Sequence, residues 1–152
     1  MADGVVNGPG EGEVLQNSTM GRVTIVKGAL PQLEVYEFTI QGPYDGPDPH
    51  THAQQTDAFY VLEGELDFHV DGREFRGGPG TYVAAPPGTP HGFKKHDTGT
   101  ARFLNIHAPG VFLDSMRKMS DPPATAAATK SGASETGVGS TEPGTTAVPT
   151  AD

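Results

Sequence analysis

Proline and glycine interrupt this chain so often that they decide what it can fold into. Its 152 residues include 21 Gly and 14 Pro, which suits short strands and many turns rather than long helices. Between the interruptions the sequence alternates with the period of a strand. In residues 33–40 (LEVYEFTI), Tyr36, Phe38 and Ile40 share one face and Val35, Glu37 and Thr39 the other. The first face is assigned to the core, and Glu37 to solvent. Further on, Asp57, Phe59 and Val61 line one face, while Leu66, Phe68 and Val70 point inward and leave His69 in solvent. Asp71-Gly72 is a two-residue hairpin signal, followed by a short strand over 73–76. The β-branched run 22–27 is read as the first strand, 81–85 as a later one and 101–107 as the last. In that last strand Leu104 and Ile106 lie opposite Phe103, Asn105 and His107. His107 then reads equally as a pocket residue or as a surface residue at a strand end.

The length suits one domain with one core. A net charge of −9 without a Lys/Arg cluster argues against nucleic acid or an anionic membrane as partner. There is no Cys, which excludes disulfides, thiolate ligands and a Cys nucleophile. No apolar run approaches a membrane span, and the opening residues lack the basic and apolar regions of a signal peptide, so a cytoplasmic protein is expected. Residues 1–13, rich in Gly and acidic groups, are expected to be a flexible arm. Residues 120–152 fall to Ala, Thr, Gly, Ser and Pro and are expected to be disordered, leaving the domain at 14–119.

Function concentrates in 46–64, GPDPHTHAQQTDAFYVLEG. The Pro- and Gly-rich loop over 41–49 delivers His50 and His52 at strand spacing, with Asp57 five residues on. Imidazole and carboxylate are the N and O donors that divalent transition metals take. The same pattern also reads as a polar hairpin. Parity adds a condition: Asp57 lies an odd number of residues beyond His52, so residues 53–56 must bulge or loop if all three side chains are to converge. A third His, His91, follows a Pro-Pro-Gly turn in GTYVAAPPGTPH.

These two stretches resemble the paired signature of the cupin superfamily, G-x5-H-x-H-x4-E-x6-G followed by G-x5-P-x-G-x2-H. His50, His52 and Gly64 match the first half, with Asp57 in place of the usual Glu and Gly46 only four residues before His50. Gly80, Pro86, Gly88 and His91 match the second, and Lys95 stands where an Asn often closes it. The chain is similar in pattern to small, quercetin dioxygenase-like cupins from about residue 20 to 119. The resemblance implies an all-β jelly-roll barrel, a double-stranded β-helix, with a short C-terminal helix. That helix would carry an apolar stripe of Val111 or Phe112 with Ser115, Met116 and Met119, packed on the outside of the barrel. It also implies one divalent transition metal (Fe, Mn, Ni, Co or Zn) held by His50, His52, Asp57 and His91, with positions left open for catalysis.

Asp57 is one methylene shorter than Glu. It is therefore either a ligand or a base hydrogen-bonded beside the metal, the catalytic role that the resemblance implies. Phe59 and Phe93 would supply substrate-binding wall. Three functions follow: an oxygenase for a small aromatic or enolisable substrate, a non-redox isomerase or cyclase, and a non-catalytic binding module. A homodimer is expected as well, through the Tyr60 and Leu62 face or through an exchanged strand 22–27.

Overall fold

The computed structural model describes residues 3–123. β3 (Leu33–Gln41) carries out the alternation in its sequence: Tyr36, Phe38 and Ile40 are buried, while Val35, Glu37 and Thr39 are half-exposed. Glu37 meets Arg102 at the surface, 3.2 Å away. β3 pairs antiparallel with β2 (Arg22–Leu30) on one side and with β9 (Thr100–Ala108) on the other. β9 pairs with β4 (Thr56–Glu63), and β4 with β7 (Tyr82–Ala85). With β1 (Glu13–Asn17) on the outside of β2, these strands form a six-stranded sheet in the order β1-β2-β3-β9-β4-β7. β5 (Leu66–Val70) lies between β6 (Arg73–Gly77) and β8 (His91–Lys94) in a second sheet of three. The β5–β6 turn is the expected Asp71-Gly72 pair, with positive φ at both residues.

The inner faces of the two sheets meet in a core rich in aromatic rings. Phe103 of β9 touches Phe38 and Phe93 at centroid separations of 5.2 Å, and Phe59 of β4 sits 5.5 Å from Phe93 and 5.7 Å from Phe68. Each such ring, fully buried, contributes about 1.5–3 kcal/mol relative to exposure. This is the jelly-roll arrangement expected for an all-β chain of short strands. Among the described residues no helix is long and apolar enough to cross a membrane.

The ends of the domain differ from the sequence reading. The first strand is β1, not the run 22–27, which pairs within its own chain between β1 and β3. Residues 7–11, expected in a loose arm, are tied to β2. A register shift between Val26 and Gly28 frees Lys27, whose Nζ donates to the Gly8 and Glu11 carbonyls at 2.6 and 2.8 Å. Asn7 in turn donates to the Lys27 carbonyl at 2.9 Å.

At the other end the helix α1 (Leu113–Lys118) is shorter than the expected stripe: Met116 is buried, but Val111 and Met119 are exposed. Glu34 holds its N-terminus, accepting from the backbone N–H of Phe112 and Leu113 at 2.9 and 3.2 Å and from the Tyr36 hydroxyl at 2.8 Å. A carboxylate suits this end of a helix, where the N–H groups lack intrahelical partners. The helix presents Asp114, Ser115, Arg117 and Lys118 to solvent and turns Met116 inward, where with Phe112 just before the helix it lines a cavity. Ser120 and Asp121 still contact the fold, since Asp121 N donates to Gln16 O at 2.6 Å and its carboxylate accepts from Ser18 N at 2.9 Å. The remainder of the expected disordered tail, from residue 124 on, lies outside the described residues, as do residues 1 and 2.

Candidate metal centre

The loop before β4 is shaped by backbone constraints before any side chain acts. Gly46 has φ +73, and a Cβ there would fall on the Phe93 carbonyl oxygen, so only glycine fits. This close approach lays residues 46–50 against β8, where His50 and His91 exchange two backbone hydrogen bonds of 3.0 Å. Residues 51–55 are irregular and β4 begins only at Thr56, which meets the parity condition for Asp57. The His52 carbonyl is fixed by Gly88 N at 2.8 Å, which joins the His pair to the Pro-Pro-Gly turn.

The side chains then converge. His50, His52, Asp57 and His91 each offer one donor atom, and these atoms all lie within 4.8 Å of one another, so the four residues could hold a metal ion. Backbone carbonyls orient two of the rings. His50 Nδ1 lies 3.0 Å from Asp48 O, and His91 Nδ1 lies 2.9 Å from Thr89 O. A carbonyl only accepts, so each Nδ1 carries a proton and each Nε2 faces the cluster. His52 Nε2 is buried without a hydrogen-bond partner, as suits an atom whose partner would be a cation. Asp57 Oδ2 lies 3.0 Å from His91 Nε2 and 3.7 Å from His52 Nε2. Ligands at about 2.0–2.2 Å from one ion stand about 3 Å apart when adjacent on an octahedron. The shorter Asp side chain therefore reaches the cluster, and the donor set fits a divalent transition metal.

A family model described as a Cupin domain matches residues 36–107, which include all four residues. The chain carries a cupin domain. Over 73 residues the chain is 32% identical to the quercetin 2,3-dioxygenase of Bacillus subtilis (strain 168), a match covering 48% of this chain and 21% of that protein. Among solved structures it resembles KdgF from Halomonas sp. at a TM-score of 0.59 and 19% identity, covering 72% of this chain and 94% of that one. The polyketide cyclase RemF from Streptomyces resistomycificus is similar at a TM-score of 0.51 and 26% identity, covering 58% and 65% of the two chains.

Two further residues of the cupin domain join the cluster from β9. Pairing with β4 places His107 opposite Asp57 and Asn105 opposite Phe59. His107 Nε2 donates to Asn105 Oδ1 at 2.7 Å, and Asn105 Nδ2 donates to Asp57 Oδ1 at 2.5 Å. Of the two readings that the alternation allowed for His107, the pocket residue holds: it is buried and stacked on Phe112 at 4.5 Å. Asn105 was not singled out, although it shares a face with core Phe103. Phe59 and Phe93 are buried and line the same cavity as the cluster. His69 and His96 stand away from it, 3.7 Å from Glu74 and 3.0 Å from Asp67.

Burial and hydrogen bonding set the protonation of these rings. Burial lowers the pKa of His52; Asp57 opposes this, and His50 and His91 reinforce it. Burial also lowers that of His107, against the pull of Asp57. For His91 burial acts the same way, but hydrogen bonds to Asp57 and Thr89 outweigh it and the pKa is raised. The cavity above has a volume of about 380 Å³ and is lined largely by apolar groups. That is the small end of the range for ligand pockets.

Proposed function

We propose that this cupin domain is a metal-dependent dioxygenase acting on a small aromatic or enolisable substrate. One observation carries the reading: a carboxylate with one oxygen fixed by Asn105 presents the other among three imidazole nitrogens at the floor of an apolar cavity. His50, His52, His91 and Asp57 Oδ2 would hold the ion, and a redox-active ion there would supply the electron exchange with O₂ that no side chain can. Asp57 is also the group placed to take a proton from an enol or phenol, with Asn105 steadying the carboxylate as it does so. Phe59 and Phe93 form apolar wall against which a planar substrate would pack. Both atoms of O₂ would enter the product, so no external reductant is needed. Similarity to the Bacillus subtilis dioxygenase supports this reading, though it extends over 21% of that protein.

The similarity to the polyketide cyclase RemF supports a second reading, in which the same ion acts only as a Lewis acid on an enolisable substrate. A third, ligand binding without turnover, uses the same cavity. Metal analysis of untagged protein, then O₂ uptake with a flavonol and with simple enols, separates the three. Consumption of O₂ in step with substrate supports the dioxygenase. Conversion without O₂ uptake supports the cyclase or isomerase, and tight binding without conversion the binding module. If His50→Ala or His91→Ala keeps the wild-type metal content, the assigned ion site is wrong. The exposed Tyr60 and Tyr82 further support a homodimer.

A further inference from the structure

Arg22 opens β2 and lines the same cavity as the histidine cluster. It is 8% exposed, yet among the described residues no carboxylate lies within 4.0 Å of it. Its guanidinium carbon sits 5.2 Å from the centre of the Phe38 ring, and its Nη2 lies 3.5 Å from the Met116 sulfur. Its Nε is buried with no hydrogen-bond partner. A guanidinium keeps its charge in proteins, although burial lowers the Arg22 pKa against the opposing influence of nearby Tyr44. Burying a cation without a counter-charge is costly, and such groups are normally paired.

The free edge of Arg22 has a definite shape. Nε and Nη2 form the side-on fork that takes a carboxylate through two parallel bonds. The same protein shows this geometry in use on its surface, where Arg117 Nε and Nη2 reach Glu13 at 3.0 and 2.7 Å. In Arg22 that edge lies against a thioether, a weak acceptor on a flexible side chain of α1, and the neutral Tyr44 hydroxyl is a second partner of the guanidinium. Among the described residues Arg22 is also the one Lys or Arg side chain lining the cavity, whose walls include Asp48 and Asp57. One fork pairs a single carboxylate, and the two acidic groups in the same walls disfavour a dianion such as phosphate.

We propose that Arg22 is the substrate-anchoring residue of this cavity and that the substrate is a carboxylate, held by the Nε and Nη2 edge once Met116 swings aside. This rests on the reading of the cavity as a small-molecule site and adds the class of molecule it takes. The anchored acid would carry its aromatic or enolisable part toward His50, His52 and His91, with Phe38 beneath the fork.

Benzoate and its neutral isostere benzamide test this, titrated into the full chain by calorimetry, both as purified with its metal and after chelation. Benzoate is expected to bind about 10- to 100-fold more tightly than benzamide, the worth of charge-assisted hydrogen bonds. The preference should persist after chelation, disappear in Arg22→Met and survive in part in Arg22→Lys, with metal content unchanged in both variants. Equal binding of acid and amide to the wild type, or no benzoate binding at millimolar concentration, overturns the proposal. So does a preference that vanishes on chelation, because the ion would then be the anion site. If Arg22→Met does not fold, the wild-type pair and Arg22→Lys decide. A wild-type protein that holds no metal but prefers benzoate would refute the metal-centre reading and leave the role of Arg22 standing.

Discussion

Asn105 donates to Asp57 Oδ1 at 2.5 Å across the β4–β9 ladder, while its own carbonyl accepts from His107. The amide thus fixes which carboxylate oxygen turns toward the histidines. Asn105→Ala removes that donor and leaves a buried carboxylate oxygen unpaired, which costs about 1–3 kcal/mol. The expected outcome is a lower melting temperature and weaker retention of metal against a chelator. Turnover should fall further than metal occupancy accounts for, because the carboxylate is no longer aimed. Unchanged chelator competition and unchanged turnover would reduce Asn105 to a packing residue.

Asp57 itself separates two roles. Its Oδ2 lies 3.0 Å from His91 Nε2, close enough for the two atoms to share an ion. Asp57→Asn is expected to lower metal content and turnover together. Retention of metal with turnover reduced by about 10²- to 10⁴-fold would instead leave Asp57 as an acid–base group alone. Full metal content with undiminished turnover would remove it from the site. Metal analysis and steady-state rates on one preparation distinguish these outcomes.

The strand faces were legible because each sheet buries one side, so period-2 alternation in β3, β4 and β5 maps directly onto burial. His50, His52 and His91 were legible because their spacing is tied to turns that Gly and Pro write into the sequence. Asn105 and His107 were only half legible. Their parity with Phe103 says that they point inward, but their partner Asp57 is set by strand pairing across some fifty residues of chain. Arg22 read only as the start of a strand, since its burial depends on Met116 in a distant helix. β1 was missed for the same kind of reason. Its sequence EVLQN is weak as a strand by itself and is held by β2 and by contacts from Met119 and Asp121.

Tyr60 and Tyr82 are register partners on the outer face of β4 and β7, 40% and 64% exposed, at an edge of the six-stranded sheet. Two adjacent aromatic groups on a strand edge are suited to cover by a second copy. Light scattering at micromolar concentration is expected to show a dimer that Tyr60→Lys with Tyr82→Lys dissociates. A wild-type monomer, or a dimer indifferent to both changes, rules out this face.

The contacts of Ser120 and Asp121 move the edge of the domain. Asn17 donates to Met119 O at 2.6 Å, and Asp121 adds its bonds to Gln16 and Ser18. A chain ending at residue 123 is expected to melt as the full protein does, whereas one ending at 119 should melt lower through the loss of the Asp121 bonds. Equal melting of the two shortened chains would show that Asp121 adds nothing to the fold.

The same clasp should respond to acid. Glu13 of β1 meets Arg117 of α1 through two bonds of 3.0 and 2.7 Å. The hydrogen bond to Arg117 lowers the Glu13 pKa below its ordinary value of 4.5; slight burial opposes this, and the charge of Arg117 reinforces it. A carboxyl group with a depressed folded pKa binds its proton more readily in the unfolded chain. Its contribution to stability is therefore complete above the unfolded value and is lost as pH falls through the folded one. Both groups are largely in solvent, so the contribution is small and weakens with salt. Thermal melts of the wild type and Glu13→Gln should differ at neutral pH and converge as the pH falls below the ordinary carboxyl value of 4.5. The difference should also shrink in high salt at neutral pH. A gap that stays constant down to the acid end would mean that Glu13 acts through packing on β1 and that its charge contributes nothing to the clasp.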